Sequence, residues 1–266
     1  MRTLIGFFFM TFCAFAQING GKVLYKCIEN GKSKNTILIF NKEESLFYNE
    51  NIKKEKKIDV NADNDAGTIN LSINLDTDKP DNFGLYTNLK SRLIIEQEFL
   101  PTDITNKKLD TLFIKDKFNA INWELINDTK KINNFLCQKA IGNFRGREYT
   151  VWFTNDIPLG FGPWKLNGLP GLIIEAFDST KTFYFYVEKI EFNTNSIINA
   201  SEFLNKRYIS PIDERKKYLS LIENIENQIN QKIRASLPRG SNLSSSTNKN
   251  NLISQDDFLE INFDDI

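Results

Sequence analysis

The sequence contains no histidine among its 266 residues and only three cysteines. The missing histidine excludes a Ser-His-Asp or Cys-His nucleophilic system and histidine-ligated zinc within this chain. The small number of cysteines excludes a four-cysteine metal site. We therefore expect no metal, no cofactor and no enzymatic activity, since any catalysis would have to rely on carboxylates or on Lys, Tyr and Arg side chains.

An excess of charge of one sign is also lacking, because 34 Lys and Arg residues balance 34 Asp and Glu residues. This balance does not have the basic character of a nucleic-acid-binding protein, so we expect no nucleic-acid partner. Beyond the N-terminus, the chain also lacks an apolar run of about 20 residues, the length that a transmembrane helix needs. We expect no transmembrane segment in the mature protein.

The first sixteen residues have the layout of a secretory signal peptide. Arg2 supplies the positive charge, residues 4–12 form a nearly unbroken apolar run, and Ala14-Phe15-Ala16 is a small-x-small cleavage site. The apolar run is too short to span a bilayer. The sequence therefore predicts an exported protein whose mature chain begins at Gln17.

Removal of residues 1–16 leaves two cysteines, Cys27 and Cys137. An exported protein can form a disulfide, and both cysteines lie in strand-like segments. A bridge would close a loop of about 110 residues and contribute on the order of 4 kcal/mol through chain entropy. Two buried free thiols are the alternative, and the sequence leaves both open.

Most of the mature chain alternates short β-forming runs with polar breaks, which predicts a mainly β fold. The short connections favour antiparallel neighbours, so we expect one long, curved, antiparallel meander sheet. Two of the predicted strands form a hairpin around a turn that contains Gly and Asn. The predicted strands are residues 22–28, 36–40, 45–48, 68–75, 83–87, 92–99, 111–117, 122–126, 135–141, 148–154, 172–177 and 182–192.

One amphipathic helix is predicted at residues 211–236, and a shorter helix around residues 201–206. Ser210 is a suitable N-cap, Pro211 fits the first turn, and Asp213 lies where the helix dipole favours a carboxylate. Its apolar side chains recur at helical spacing, as Tyr218, Ile222, Ile225, Ile229 and Ile233. Such a stripe has to be buried, so we expect the helix to pack on one face of the sheet.

The composition predicts a single β-rich domain over residues 17–236, which includes the helix, and a flexible tail over residues 237–266. Residues 241–251 are rich in Ser and Asn, which is typical of a segment without its own core. The final residues, 256–266, mix acidic with apolar side chains. They form either a frayed tail or an additional edge strand or docking segment.

Turn-forming residues are most concentrated in residues 162–173, which read GPWKLNGLPGLI. Residues 169–172 predict a type II β-turn, in which Gly171 supplies the positive φ. Trp164 and Leu166 are too apolar for an ordinary solvated loop, so we expect them to fold back onto the core. The stretch is either a structural turn or a ligand-facing loop. Its motif residues are Gly162, Pro163, Gly168, Pro170 and Gly171.

The same stretch carries a family resemblance. Residues 168–173 spell GLPGLI, and the chain resembles the GLPGLI family of exported proteins from Gram-negative bacteria. Residues 144–158 are similar to that family's Gly-Arg-x-Tyr-x-x-Trp-Phe segment ending in Ile-Pro, and residues 137–140 to its Cys-x-Lys-Ala element. The chain departs from the pattern at Asn134-Phe135, where the family often has Gly-Tyr. The family has no established activity, so the resemblance implies fold and a periplasmic or cell-envelope location.

Four residues near the motif are candidates for ligand binding. Arg145 and Arg147 flank a turn glycine and are able to present two guanidinium forks to a carboxylate or phosphate. Their alternative role is as solvated turn charges or as internal ion pairs with Asp156 or Glu148. Trp152 and Trp164, with the neighbouring aromatic residues, are suited either to line an apolar site or to fill the core.

Two functional hypotheses follow. The element order resembles that of curved-sheet carriers of lipoproteins and lipids, an analogy of fold alone. The first hypothesis is a non-enzymatic binding or carrier protein that holds an apolar ligand or lipidated partner in a groove between sheet and helix, shaped by the loop around Trp164. The second is an envelope interaction or assembly protein that holds an outer-membrane partner through a sheet edge, the acidic tail or the motif loop.

Overall fold

The structure, a computed structural model, describes residues 19–50, 84–103, 108–117, 121–194 and 197–236. The predicted signal peptide, the strand predicted at residues 68–75 and the C-terminal tail lie outside these residues. The division of the chain into one domain and a tail stays a prediction.

Twelve strands form one mixed sheet, and an α-helix follows the last of them. The predicted mainly β fold is thereby confirmed. The strands are β1 (Gly20–Glu29), β2 (Lys32–Asn41), β3 (Glu44–Asn49), β4 (Gly84–Asn88), β5 (Leu93–Asp103), β6 (Lys108–Lys117), β7 (Glu124–Ile132), β8 (Phe135–Phe144), β9 (Arg147–Thr154), β10 (Leu172–Asp178), β11 (Phe183–Phe192) and β12 (Tyr208–Ile209); the helix is α1 (Pro211–Ser236).

Alternation of side chains gives the long strands one inner and one outer face. In β1, Val23, Tyr25 and Cys27 are buried while the residues between them are half-buried. In β11, Phe183 and Phe185 point inward, and the aromatic residues between and after them point to the other face. Successive side chains along each strand therefore point to opposite faces of the sheet, as strand geometry requires.

The order of strands in the sheet is β12-β6-β5-β4-β3-β2-β1-β11-β10-β9-β8-β7. Two antiparallel meanders, β1 to β6 and β7 to β11, are joined where β1 pairs with β11. The predicted antiparallel meander is correct within each half. The short β12 is the exception, because it runs parallel to β6.

The two ends of this sheet face each other. In a flat sheet, β6 and β7 would lie ten strand spacings apart, about 48 Å. Residues 118–123 connect them, and a connection of that length spans at most about 25 Å. The sheet is therefore strongly curled, with an open seam between the β5–β6 end and the β7–β9 end.

The main core fills the inside of the curled sheet. It combines inward-facing residues of the strands with side chains from the loop between β9 and β10, residues 155–171, which we call the motif loop. The motif loop contributes Ile157, Phe161, Trp164, Leu166 and Leu169 to this core. Phe161 contacts Phe40 of β2 with ring centroids 6.3 Å apart, so the loop reaches the opposite wall of the curled sheet.

A smaller apolar cluster covers the outer face of β4 and β5. Phe203 stacks on Tyr86 with ring centroids 5.8 Å apart, and Ile95 is fully buried beside them. A short 3-10 helix at Ala200–Glu202 precedes Phe203, at the place where a longer helix was predicted for residues 201–206. The segment before β12 therefore lies on the outside of the sheet.

Helix α1 begins and ends where the sequence predicts. The backbone N–H of Asp213 donates to Ser210 Oγ at 3.1 Å, which confirms Ser210 as the N-cap. The helix contacts β5 and β6, and Tyr218 of the predicted stripe is half-buried. The side chains of Ile222, Ile225, Ile229 and Ile233 lie outside the described part of the chain. Within the described residues, no helix combines the length and apolarity needed to cross a membrane.

Candidate functional site

The motif loop folds inward and is held by backbone hydrogen bonds. The N–H of Gly168 donates to the carbonyl of Gly160 at 3.0 Å, and the N–H of Leu166 donates to Pro163 at 3.2 Å. Trp164 is 5 % exposed and Leu166 is fully buried. The prediction that both side chains fold onto the core is therefore confirmed.

The predicted type II turn at residues 169–172 is wrong. Among the glycines of this stretch, Gly168 has a positive φ, of 91°, and Gly171 does not. Gly171 is required for another reason, since a Cβ there would lie 1.9 Å from the carbonyl oxygen of Thr154. Leu172 already pairs with Thr154, so the chain at Gly171 runs directly against the end of β9.

Trp164 is part of the core in an unusual backbone conformation. Its φ is 52°, a region that bulky residues rarely adopt. Its ring lies 5.5 Å from Phe144 and 6.4 Å from Tyr149, measured between ring centroids. The aromatic packing of β8 and β9 therefore holds the loop in a conformation that is locally unfavourable.

Four charged residues meet at the seam of the sheet. Lys165 Nζ lies 3.0 Å from Asp116 Oδ2 and 3.0 Å from Glu96 Oε2. Arg145 Nη2 lies 2.6 Å from Asp116 Oδ1. We call Glu96, Asp116, Arg145 and Lys165 the seam cluster. Glu96 and Asp116 belong to β5 and β6, Arg145 to the turn between β8 and β9, and Lys165 to the motif loop. These ion pairs therefore connect the β5–β6 end of the sheet to the β8–β9 turn and to the motif loop.

Arg147 also forms a buried ion pair, at another position on the inner face of the sheet. It lies 3.0 Å from Asp178 Oδ2, and its guanidinium lies over the ring of Phe183 at 4.7 Å. Asp178 Oδ1 also accepts the backbone N–H of Phe183 at 2.9 Å. Arg145 and Arg147 are 2 % and 6 % exposed. Of the two alternatives to ligand binding, the structure has internal ion pairs rather than solvated turn charges, and the partners are Asp116 and Asp178 instead of Asp156 or Glu148.

Glu214, in the first turn of α1, lies beside the seam cluster. Burial, followed by the nearby carboxylates of Glu98 and Glu96, raises the pKa of Glu214 to about 9, against the opposing effect of Lys165. A carboxyl group that keeps its proton at neutral pH is therefore located between helix and sheet. Local sequence patterns do not predict this group, because more than a hundred residues separate β5 from α1.

The outer face of the sheet carries a second set of polar and aromatic residues. Trp152 alternates with the buried Val151 and Phe153 and is half-buried on the outside. Its cross-strand neighbours continue over successive strands on the same face. We call this set the outer row: Lys139, Trp152, Glu175, Tyr186, Lys26 and Asn35.

Hydrogen bonds and ring contacts fix the centre of the outer row. Lys130 pairs with Glu175, and its ammonium lies 4.3 Å from the centroid of the Trp152 ring. The hydroxyl of Tyr184 donates to Glu175 Oε1 at 2.6 Å, and its ring lies 5.3 Å from that of Tyr186. Glu175, an acid within an apolar strand, thus has the partners that such a position requires.

The far end of the outer row is fixed as well. Lys26 Nζ donates to Asn35 Oδ1 at 3.0 Å, and Asn35 Nδ2 donates to Glu50 Oε2 at 2.9 Å. Each of these three side chains is half-buried. The row is therefore an ordered surface in which hydrogen-bonding groups alternate with aromatic rings.

Tyr184 lies beside the outer row and acts there as a hydrogen-bond donor to Glu175. Burial, with the hydrogen bond to Glu175 next, raises the pKa of Tyr184 well above its ordinary range. A phenol whose pKa is raised in this way keeps its proton at neutral pH, so it is a hydrogen-bond donor and a poor base or nucleophile. The arrangement can position a ligand through rings and hydrogen bonds.

Cys27 and Cys137 are both buried free thiols in this structure. They lie on β1 and β8, which have three strands between them in the sheet. Burial raises the pKa of Cys27 to about 12 and that of Cys137 to about 11. The structure thus has the free-thiol alternative rather than the bridge, and burial disfavours the thiolate form of both cysteines.

Residues 143–175 match the profile of a family described as a protein of unknown function (Porph_ging). The matched stretch includes both cations of the seam cluster and all of the motif loop, and the family has no described activity. No curated protein matches the chain in sequence.

Two crystal structures of PNGF-II, in space groups C2 and P21, are similar to the chain. Their sequence identities are 18 % and 16 %, and their TM-scores are 0.49 and 0.51. In each case 76 % of this chain is covered, against 32 % and 34 % of the PNGF-II chain. The chain therefore spans about a third of the length of these structures, and at this identity the similarity concerns the fold alone.

Proposed function

We propose that the protein is an exported, non-catalytic binding protein of the GLPGLI type from the periplasm or cell envelope of a Gram-negative bacterium. Its ligand or envelope partner docks on the outer row. The location rests on the signal-peptide pattern of residues 1–16 and on the GLPGLI spelling of residues 168–173. The binding role rests on the placement of the aromatic and charged residues.

One observation carries the proposal. Of the four residues that the sequence proposes for ligand binding, Trp164, Arg145 and Arg147 are buried in the core and the ion pairs of the inner face. Trp152 alone is half-buried on the outer face, in an ordered row of hydrogen-bonding groups and rings. Tyr and Trp residues on an ordered surface are enriched at sites of molecular recognition.

The carrier of an apolar ligand or lipidated partner is a second candidate, and the backbone of Trp164 favours it. A non-glycine residue with φ of 52° stores strain of about 1–2 kcal/mol, and such strain is concentrated at functional sites. In this alternative the ligand displaces the motif loop and takes the place of Trp164 and Phe161. The loop would move outward through the seam.

Hydroxyl-radical footprinting distinguishes the two candidates, because it reports side-chain exposure residue by residue. The mature protein is labelled with and without a detergent-free extract of the source bacterium's envelope. Lower labelling of Trp152 and Tyr186, with no change at Phe192, is expected for docking on the outer row. Phe192 is the matched control, since it is an exposed aromatic residue at the far end of β11.

Higher labelling of Trp164, with Trp152 unchanged, would instead establish displacement of the motif loop and overturn the outer-row proposal. Unchanged labelling at both tryptophans would contradict both candidates. A Trp152→Ala variant that keeps its thermal stability but loses the protection of Tyr186 completes the test.

A further inference from the structure

We propose that the outer row binds an uncharged saccharide chain, laid across strands β9, β10, β11 and β1. This names the ligand class of the binding surface proposed above and rests on that proposal. The inference is drawn from the alternation of rings and hydrogen-bonding groups, from the charge pattern, and from the way the polar groups are held.

The alternation follows the strand spacing. Trp152, Glu175, Tyr186 and Lys26 are successive cross-strand neighbours, each on the next strand of the sheet. Neighbouring strands lie about 4.8 Å apart, so the two rings are separated by about 10 Å with a carboxylate between them. A ligand that fits this pattern has apolar faces and polar edges that alternate along its length. A chain of sugar rings has this property.

The charge pattern excludes other ligand classes. The three cations in or beside the row, Lys139, Lys130 and Lys26, are matched by three anions, Asp128, Glu175 and Glu50. A polyanion requires an excess of cations, as nucleic-acid surfaces show, and none is present here. A lipid requires a continuous apolar patch, which the charged members of the row interrupt. An uncharged ligand with many hydroxyl groups remains.

The polar groups of the row are fixed before the ligand arrives. Glu175 is held by Lys130 and by the hydroxyl of Tyr184, and Asn35 is held by Lys26 and Glu50. An ionised carboxylate has about four lone-pair sites, so Glu175 retains acceptor capacity for ligand hydroxyls. Binding to groups that are already ordered loses less side-chain entropy.

The ring of Trp152 becomes available through movement of Lys130. The ammonium of Lys130 lies over this ring, and its side chain is 40 % exposed. An exposed cation on a flexible stem leaves an aromatic face at little cost in free energy. A sugar ring that stacks on Trp152 therefore has to displace Lys130, while Glu175 keeps the hydroxyl of Tyr184 as its partner.

Isothermal titration calorimetry with maltohexaose, laminarihexaose and chitohexaose tests the inference. At least one of these uncharged oligosaccharides is expected to bind to the full mature chain. Trp152→Ala and Tyr186→Ala are each expected to weaken that binding by about tenfold. Phe192→Ala, which removes an exposed aromatic side chain away from the row, is expected to change the affinity by less than about twofold.

Each of the other outcomes would contradict the saccharide class, the location of the site or the proposed function. If none of the three oligosaccharides binds at millimolar concentration, while envelope extract still protects Trp152 and Tyr186 in footprinting, the saccharide class is wrong and the binding surface stands. If an oligosaccharide binds equally well to wild type, Trp152→Ala and Tyr186→Ala, the saccharide site is not the outer row. If extract protection is also absent, the proposed function fails with it.

Discussion

The seam cluster and the outer row are built from the same side-chain types but differ in their relation to water. Each joins a lysine to a carboxylate beside an aromatic ring. Lys165 and Asp116 of the seam cluster are 2 % and 1 % exposed, whereas Lys130 and Glu175 at the outer row are 40 % and 13 % exposed. Charges that are fully desolvated become dependent on their partners, and charges at the surface do not.

Under the proposed function, this difference separates the residues that stabilise the fold from those that bind a ligand. The seam cluster connects the two ends of a curled sheet whose strands do not close, so its charges are committed to the fold. The outer row lies on strands that the inner core already stabilises. Its polar groups are therefore available to a ligand without a large effect on the fold.

The two regions are expected to differ most in the unfolding free energy that is lost when a carboxylate is removed. Asp116→Ala leaves Arg145 and Lys165 buried without their shared partner, and we expect it to cost about 3–5 kcal/mol of unfolding free energy. Glu175→Ala is the matched variant at the outer row, with an expected cost of about 1 kcal/mol. Urea denaturation measures both. Equal losses would show that the two regions are energetically alike.

A methyl group at Gly171 tests the close approach of the motif loop to β9. Because the added Cβ would lie 1.9 Å from a backbone oxygen, the backbone has to shift. We expect Gly171→Ala to cost about 2–4 kcal/mol. Gly31→Ala is the control, since Gly31 has φ of 74° but no atom within 4 Å of the added group. A cost of only about 1 kcal/mol, from backbone strain alone, is expected there.

The protonated Glu214 beside the seam cluster predicts a dependence of stability on pH. Its carboxyl keeps its proton up to about pH 9 in the folded chain, against an ordinary pKa of 4.5. Between these values the folded state binds more protons than the unfolded state, so stability falls as pH rises and is regained toward pH 4.5.

Glu214→Gln removes this dependence, because its amide stays neutral next to Glu98, Glu96 and Lys165. One proton corresponds to about 1.4 kcal/mol per pH unit at most, and we expect the variant to be about 1–3 kcal/mol more stable than wild type at pH 8. At pH 4.5 the two should be nearly equal. Thermal unfolding over this pH range measures the difference, and parallel curves would contradict it.

The smallest expected effect comes from two matched hydroxyl deletions. Tyr25 donates to the carbonyl of Ile173 inside the sheet, and Tyr184 donates to Glu175 outside it, each at 2.6 Å. Tyr25→Phe should cost about 1–2 kcal/mol, because a buried carbonyl loses this donor. Tyr184→Phe should cost about 0.5 kcal/mol, since water replaces the hydroxyl. A larger loss at Tyr184 in chemical denaturation would contradict the distinction between the regions.

Local patterns in the sequence were sufficient to predict most of the secondary structure. The predicted strands correspond to β1 through β11, apart from the strand that lies outside the described residues, and α1 has its predicted bounds. The largest boundary error is at β7, which continues to Ile132 although its prediction ended at residue 126. The short β12 was missed, because two residues carry no periodic pattern.

The candidate site was predictable only in part, because its geometry depends on contacts between distant segments. The burial of Trp164 followed from its apolar character in a short loop. The partners of Arg145 and Arg147 were not found, since Asp116 and Asp178 lie about 30 residues away in sequence. One local signal pointed to the burial of Lys165, because it lies between two apolar residues that fold inward.

The error at Gly171 has a similar cause. A Pro-Gly pair predicts a type II turn on local chemistry alone. Here the glycine is needed because another strand passes at that point, and a sequence pattern does not show which strand it is. Local turn rules therefore identified Gly171 as a position that requires glycine, but for the wrong physical reason.

The pairing of β1 with both β2 and β11 has a consequence for the order of folding. The first strand of the sheet has one neighbour that follows it at once and another that is synthesised about 150 residues later. Until then, one edge of β1 is exposed with unpaired N–H and C=O groups, which are able to pair with other chains. The N-terminal meander is therefore open to pairing with other chains until β11 is in place.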